Sequence, residues 1–340
     1  MKYQRFLVLS IGLFLTGSTF SVPMAFGQTK TFSFTLSTFF PAPHKNTVIL
    51  TEWTKEVEKR TNGTVKITLF PGGTLTPPDK CYDGVLKGIS DLGNSDLAYT
   101  RGRFPLTEVF YLPLGIRSAL TATRMVNTFY AKFQPKELDE TKMMFFVCHG
   151  PGLIHTKKPV RTLEELKGMK IRSTGMSTKI VQAFGATPVA MPMTESYDAL
   201  SRGITEGIAC PYEALYGWKL AEVIKSTTED YPSAYFSAFF LTMNKDKWNS
   251  LPPDTQKIIE SLNKEYIEKA GKAWDEMDKE GKDFTTRLGN QVISLTKQEG
   301  EKWSKAVQPM LDEYVKEKAA KGLPAQEALK FCQDYLKKNQ

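Results

Sequence analysis

Arg172 is the residue whose type and position offer the clearest chemistry. Residues 168–173 (GMKIRS) have the composition of a buried strand, and residues 173–175 (STG) are typical of a turn into a helix. In an open α/β sheet, ligands bind in the crevice outside the carboxyl ends of the strands. An arginine there presents a planar fork that can donate two parallel hydrogen bonds to one carboxylate. A carboxylate-binding role and a structural ion pair fit this spacing equally well.

Motifs of enzyme active sites are absent from the sequence. It has three histidines, His44, His149 and His155, and no HExxH, GxSxG or Walker A pattern. Residues 150–152 (GPG) lack the third glycine of a dinucleotide fingerprint. Cys148 and His149 are adjacent, so in a strand they face opposite sides and make a poor nucleophile and base. We therefore expect no enzymatic activity and no cofactor.

The four cysteines show neither a metal-binding nor a disulfide-scaffold pattern. They are Cys81, Cys148, Cys210 and Cys332. The absence of CxxC and of any Cys/His cluster predicts no metal site. An oxidising compartment would permit disulfides, and four thiols allow three full pairings. Free, buried thiols are the expectation, while the pairing stays open.

The first 27 residues have the features of a signal peptide. Lys2 and Arg5 precede an apolar run at 6–15 that is too short to span a bilayer, and residues 25–27 (AFG) suit cleavage before Gln28. The alternative is an uncleaved anchor helix, against which Pro23 and the short apolar run argue. No later stretch reaches 18 apolar residues. The mature chain is therefore expected to be soluble and exported to the periplasm.

Composition and charge exclude several classes of protein. The chain has 340 residues, of which 41% are hydrophobic and 11% aromatic, enough for a sizeable core and for about two domains. The formal net charge is +8, but basic and acidic residues alternate, as in residues 316–318 (KEK). Interleaved charges are typical of solvated helices rather than of a nucleic-acid-binding stripe. A mild positive field can still attract anions.

The elements that position these residues follow two successive β-α rhythms. In the first, strands are predicted at 31–38, 64–70, 91–99 and 143–148, with helices at 44–61, 77–88 and 119–134. In the second, strands are predicted at 168–173, 186–190, 206–210 and 235–243, with helices at 176–184 and 194–202. From Pro252, apolar residues recur every three or four positions, and 297–321 and 324–337 also look helical. Two α/β units with largely parallel sheets and a helical C-terminal third are expected.

A series of short motifs runs along the chain in a characteristic order. They are LKGMKIR at 166–172, GATPV at 185–189, MP at 191–192, Glu195, AL at 199–200, Gly203, EG at 206–207 and Pro211, with PGGTL at 71–75, FPL at 104–106, LP at 112–113, LTMN at 241–244 and Trp248 outside that segment. Together they resemble the solute-binding proteins of TRAP (tripartite ATP-independent periplasmic) transporters, of the DctP type. The resemblance covers nearly all of residues 31–320.

The resemblance implies a two-lobed periplasmic-binding-protein (Venus-flytrap) α/β architecture, with crossing strands and a long C-terminal bridging helix. It assigns 28–148 plus about 236–275 to lobe I and 149–235 to lobe II, with helices of 276–340 packed across both. Arg172 matches the family's carboxylate-binding arginine. Glu195 and Glu206 match scaffold positions.

Departures from the family pattern bear on the ligand. Met193 stands where several members have an aromatic residue, Cys210 where they often have a ligand-contacting Asn, and Gly152 where sialic-acid binders have a second Arg. Four residues after strand ends can add an apolar or aromatic lining, although ordinary packing explains them equally well: Phe39, Phe40, His44 and Tyr99. This balance favours a monocarboxylate with an apolar, aromatic or branched body.

The resemblance further implies a monomeric binder that delivers its acid to a small and a large integral membrane permease subunit, with no nucleic-acid partner. Four alternatives stay open at this point. They are a C4-dicarboxylate binder, a receptor for an ATP-driven importer or a sensor kinase, a periplasmic enzyme acting on carboxylic acids, and a polypeptide-binding interaction or chaperone protein.

Overall fold

The structure, a computed structural model, describes residues 30–340. The predicted signal peptide and its cleavage site before Gln28 lie outside these residues. Residues 31–340 form one compact unit. No helix within residues 30–340 combines the length and the apolar character needed to cross a bilayer.

Eleven strands within the described residues form two sheets. They are β1 Phe32–Thr38, β2 Val65–Phe70, β3 Leu92–Asp96, β4 Lys142–Cys148, β5 Leu153–Thr156, β6 Lys170–Ser173, β7 Thr187–Ala190, β8 Gly207–Cys210, β9 Ser226–Glu229, β10 Ala238–Met243 and β11 Gln291–Ser294. The first sheet has the order β2-β1-β3-β10-β4, and the second has the order β11-β9-β5-β8-β6-β7.

The α-helices of residues 30–340 surround these sheets. They are α1 Lys45–Arg60, α2 Cys81–Leu86, α3 Ala119–Phe133, α4 Leu163–Leu166, α5 Ser177–Ala183, α6 Ser196–Ser201, α7 Glu213–Gly217, α8 Lys245–Asn249, α9 Pro253–Arg287, α10 Lys297–Val307, α11 Pro309–Ala319 and α12 Ala325–Asn339. Several begin at a side chain that accepts a backbone N–H, including His44 for α1, Ser118 for α3 and Thr296 for α10. Such caps satisfy N–H groups that have no partner within the helix.

Both sheets are mixed rather than purely parallel. In the first sheet β1 is parallel to β2 and β3, but β10 is antiparallel to β3 and β4. In the second sheet β5 is antiparallel to both β8 and β9, while β6 is parallel to β7 and β8. The expectation of largely parallel sheets holds only for part of each sheet, because β5 and β9 were not predicted and β10 returns in the opposite direction.

Helix α9 packs against elements beside both sheets. Its 35 residues span about 50 Å at 1.5 Å per residue. It contacts α1, α3 and β4 near the first sheet and α7 near the second. Its buried face includes Leu262, Tyr266 and Trp274, as the periodicity predicts, and Asn263 accepts a hydrogen bond of 3.0 Å from the Trp53 indole of α1.

The C-terminal region differs from the prediction in two places. The helix predicted over 297–321 is two helices, α10 and α11, because Pro309 has no N–H to donate and its ring clashes with the preceding turn. Residues 276–340 are also not wholly helical, since β11 pairs in parallel with β9 and extends the second sheet. The division of the chain into two lobes stays a prediction. All four cysteines are free and buried, in line with the expectation.

Candidate functional site

A cavity lies where strands of both sheets end. From the first sheet and the segments that follow its strands it is lined by Phe39, Phe40, Asp96, Tyr99, His149, Ser237 and Phe239. From the second sheet and its connections it is lined by Arg172, Thr174, Met193, Ala209, Cys210 and Pro211, with Glu213, Trp218, Tyr235 and Trp274 completing the wall. Most of these residues lie at or just after the carboxyl end of a strand, where ligands of α/β folds bind.

Arg172 is buried in this cavity with only part of its hydrogen-bonding capacity used. Its side chain is held from one side, because Nε and Nη2 both donate to the Met191 carbonyl oxygen, at 3.1 and 2.8 Å. The residue is 2% exposed. No Asp or Glu among residues 30–340 forms an ion pair with it. Because a guanidinium has five N–H donors, several remain for a ligand.

Aromatic rings form most of the remaining wall. Phe39 stacks on Trp218 with centroids 6.1 Å apart and meets the edge of Tyr99 at 5.4 Å. Phe239 stacks on Trp274 at 5.2 Å. Such rings give a large apolar contact area at fixed geometry, and so they suit a flat or branched apolar body.

Asp96 is an acidic residue in the wall of this cavity. Its Oδ1 accepts hydrogen bonds from the Tyr111 hydroxyl at 2.6 Å and from the Ala98 backbone N–H at 2.9 Å. Burial raises the pKa of Asp96 to about 6, although these hydrogen bonds and the charge of Arg172 act in the opposite direction. A carboxyl group with this pKa changes its charge near physiological pH.

His149 is held neutral and fully engaged by the backbone. Burial lowers its pKa to about 4. Its Nδ1 lies 2.6 Å from the Gly150 carbonyl oxygen, and its Nε2 accepts the Ser237 backbone N–H at 3.0 Å. The proton of the neutral ring is therefore on Nδ1, and neither nitrogen is free to take a proton from a ligand.

Six of the eight residues singled out from the sequence line the cavity: Arg172, Met193, Cys210, Tyr99, Phe39 and Phe40. His44 and Gly152 do not. His44 lies behind the wall, where Nδ1 caps α1 at the Asn46 N–H and Nε2 is 2.6 Å from Glu213. Gly152 pairs with Tyr235, and a Cβ at Gly152 would lie 2.4 Å from that tyrosine ring.

Other lining residues had no clear signal in the sequence. Asp96 could have been suspected, because it is a single acid at the end of a buried strand. Trp218 directly follows α7, Tyr235 lies in the segment before β10, and Trp274 lies in the long helix α9. Only the tertiary structure brings these three residues together. Within residues 30–340, no group of three or more His, Cys, Asp or Glu side chains could hold a metal ion.

The chain matches known proteins along most of its length. The profile of the bacterial extracellular solute-binding protein family 7, DctP, matches residues 37–318. A TRAP periplasmic solute-binding protein from Desulfovibrio salexigens is 34% identical, with a TM-score of 0.81 over 91% of this chain and 97% of that one. That crystal structure is an open complex with the C-terminus of a symmetry mate in its ligand-binding site.

Two further solved structures hold aromatic acids. A TRAP solute-binding protein from Rhodoferax ferrireducens, in complex with copurified benzoate, is 27% identical, with a TM-score of 0.85 over 91% of this chain and 98% of that one. A marine metagenome TRAP solute-binding protein specific for aromatic acids, in complex with 3-hydroxybenzoate, is 28% identical, with a TM-score of 0.86 over 91% and 99%. The chain therefore belongs to the DctP family, the solute-binding proteins of TRAP transporters.

Proposed function

We propose that this protein captures an organic monocarboxylate with an aromatic or branched apolar body, and that Arg172 binds the carboxylate. The observation that carries the proposal is a buried arginine that has no ion-pair partner among residues 30–340 and lies in a cavity walled by aromatic rings. A buried charge is normally paired. A ligand carboxylate would supply the partner, and the low local dielectric would strengthen the pair.

The charges of the cavity favour one carboxylate over two. Arg172 is the only Lys or Arg among the described residues that line it, whereas Asp96 and Glu213 are acidic. The second carboxylate of a C4-dicarboxylate would meet these acids without a dedicated cation. Benzoate and 3-hydroxybenzoate, held by two structural neighbours, have the favoured chemistry.

Capture without chemistry is favoured over an enzymatic role. Both nitrogens of His149 are occupied by backbone groups, so this histidine is not free to act as a base beside Asp96. Contacts between segments assigned to different lobes fit closure around the ligand instead. The Met193 N–H donates to the Tyr99 hydroxyl at 3.1 Å, and His44 pairs with Glu213. Closure of the two lobes would exclude water from the bound acid.

Delivery to the membrane follows from the family. We infer that the loaded, monomeric protein works in the periplasm and passes its acid to a small and a large permease subunit. The exported state and the cleavage before Gln28 are part of this proposal.

A thermal-shift screen with matched probes tests the ligand class. The panel contains benzoate, 3-hydroxybenzoate and phenylpyruvate, with succinate as the dicarboxylate and benzamide as an uncharged match for benzoate. Ligand at 100 times its dissociation constant should stabilise the native state by about 2.7 kcal/mol. We expect shifts with monocarboxylates only. A larger shift with succinate would favour the dicarboxylate alternative, and equal shifts with benzamide and benzoate would contradict carboxylate recognition.

A further inference from the structure

Asp96 is a cavity residue that carboxylate capture by Arg172 does not explain. It is 3% exposed and ends β3 at the cavity wall. Two donors converge on its Oδ1, from Tyr111 and Ala98, so one oxygen of the carboxyl group is fixed as an acceptor. An ionised acid in a cavity that receives anions should repel them. The fold nevertheless fixes the Asp96 carboxyl group with hydrogen bonds from Tyr111 and Ala98.

The titratable and charged groups facing Asp96 come from several elements. They are Tyr99, Tyr111, Cys148, Arg172 and Tyr235, with the Ser237 hydroxyl beside the carboxyl group, and His149 and Glu213 also line the cavity. Burial raises the pKa of each tyrosine and of the thiol above its usual range, and it lowers the pKa of His149 to about 4. These shifts keep the three tyrosines, the thiol and His149 in their neutral forms between about pH 5.5 and 8.

The charge balance changes when an acid binds. In the free protein, the positive charge of Arg172 offsets the negative charge of an ionised Asp96. A bound carboxylate engages Arg172 and adds a second negative charge to the same buried space, where like charges repel strongly. Protonation of Asp96 restores the balance at the lowest electrostatic cost.

We propose that Asp96 takes up one proton when an organic acid binds, and that its carboxyl group then donates a hydrogen bond to the ligand. The inference rests on the proposed function, since it requires an anionic ligand on Arg172. The fixed Oδ1 orients the group as an acceptor toward Tyr111, which leaves the other oxygen to carry the proton. The best ligands should therefore offer an acceptor oxygen near Asp96, either on the carboxylate or on a hydroxyl or oxo substituent.

The sign of the pH dependence follows from the two states. Burial raises the pKa of Asp96 to about 6 in the free protein, and a bound anion would raise it further. Below about pH 6, Asp96 is already protonated and affinity should be nearly constant. Above that pH, binding must recruit a proton, and the dissociation constant should rise by up to about tenfold per pH unit. A carboxylic acid ligand, with an ordinary pKa of about 4, stays ionised throughout this range.

Titration calorimetry of the purified protein with benzoate and 3-hydroxybenzoate tests the proposal. Dissociation constants are measured from about pH 5.5 to 8, and at about pH 7.5 in two buffers of different ionisation enthalpy. We expect uptake of close to one proton per ligand, roughly independent of the probe. In Asp96→Asn, the amide keeps an oxygen for Tyr111 and presents an N–H to the ligand. Its affinity should be independent of pH, and at about pH 8 tighter than wild type by about tenfold or more.

Asp230→Asn is the matched control. Asp230 is also buried, and burial likewise raises its pKa to about 6, but it lines a different small cavity. This variant should keep the wild-type pH profile. Binding by wild type without proton uptake, or an unchanged slope in Asp96→Asn, would overturn the inference and leave the proposed function standing. Failure of both probes to bind at every pH would refute the proposed aromatic ligand class and this inference with it.

Discussion

Replacing Arg172 is the sharpest test of the proposal that this cavity binds a carboxylate. Arg172→Ala removes the only Lys or Arg side chain among the described residues of the cavity wall, and Arg172→Lys keeps the charge but changes its shape. In the native protein two of the five guanidinium N–H groups are committed to the Met191 carbonyl. A lysine ammonium cannot both satisfy that carbonyl and grip two carboxylate oxygens in parallel, so both variants should bind poorly.

The expected loss of affinity is large. Truncation of one partner of a buried, hydrogen-bonded charge pair typically costs about 2–5 kcal/mol. Since about 1.4 kcal/mol corresponds to tenfold in the dissociation constant, Arg172→Ala should weaken binding by roughly 30-fold to several thousand-fold. Loss of the two guanidinium donors to the Met191 carbonyl should destabilise the fold by about 1–3 kcal/mol, while removal of a buried charge acts in the opposite direction. The variant should therefore remain folded.

Calorimetric titration with the tightest acid of the thermal-shift panel measures this loss, and circular dichroism with urea unfolding checks that the variants are folded. Arg124→Ala is the matched control, because Arg124 pairs with Glu268 at the surface, away from the cavity. It should bind like wild type. A folded Arg172→Ala variant with unchanged affinity would refute the assignment of Arg172 as the carboxylate receptor.

Three further predictions concern residues around the cavity. Gly152→Ala should lower the free energy of unfolding by about 1–3 kcal/mol and weaken acid binding, because the new Cβ would displace the Tyr235 ring from the wall; urea unfolding and calorimetry measure both. Glu213→Ala should lower the free energy of unfolding by about 1–3 kcal/mol, because buried His44 Nε2 loses the carboxylate that lies 2.6 Å from it; unchanged urea stability would contradict this. A thiol reagent should leave the native protein unlabelled and modify all four cysteines in denaturant, because the thiols are buried and burial raises their pKa, that of Cys81 to about 12.

Features that depend on local pattern were predictable from the sequence. The run GMKIRS places Arg172 within β6, and the turn that follows fixes the carboxyl end of that strand. The same logic puts Phe39 and Phe40 beside the cavity, since both follow β1 directly. The periodicity after Pro252 also predicts the long helix α9. Each of these inferences uses only neighbours in the chain.

Features that depend on tertiary burial were not predictable. Strand β9 (STTE) shows no alternation of apolar and polar residues, because all four of its residues are polar. Three of them are nevertheless buried, since β9 lies between β5 and β11. His44 looks like a loop histidine that could reach a ligand, but a helix cap and Glu213 occupy both of its nitrogens. By the resemblance, Gly152 stands where sialic-acid binders have a second Arg, whereas here Tyr235 fills the position that a side chain would take.

On the proposed function, the cavity selects its ligand by the number of charges it contains as well as by its shape. Among residues 30–340 the wall contains one Arg, Arg172, and two acids, Asp96 and Glu213, and we propose that Asp96 takes up a proton when the site accepts an anion. A bound monocarboxylate adds one negative charge, and protonation of Asp96 can offset it. A dicarboxylate adds a second negative charge, and no second Lys or Arg lines the cavity among residues 30–340. The aromatic wall then chooses among monocarboxylates by contact area, because the charge is already matched. Charge therefore selects the class of acid, and apolar surface selects the member of that class.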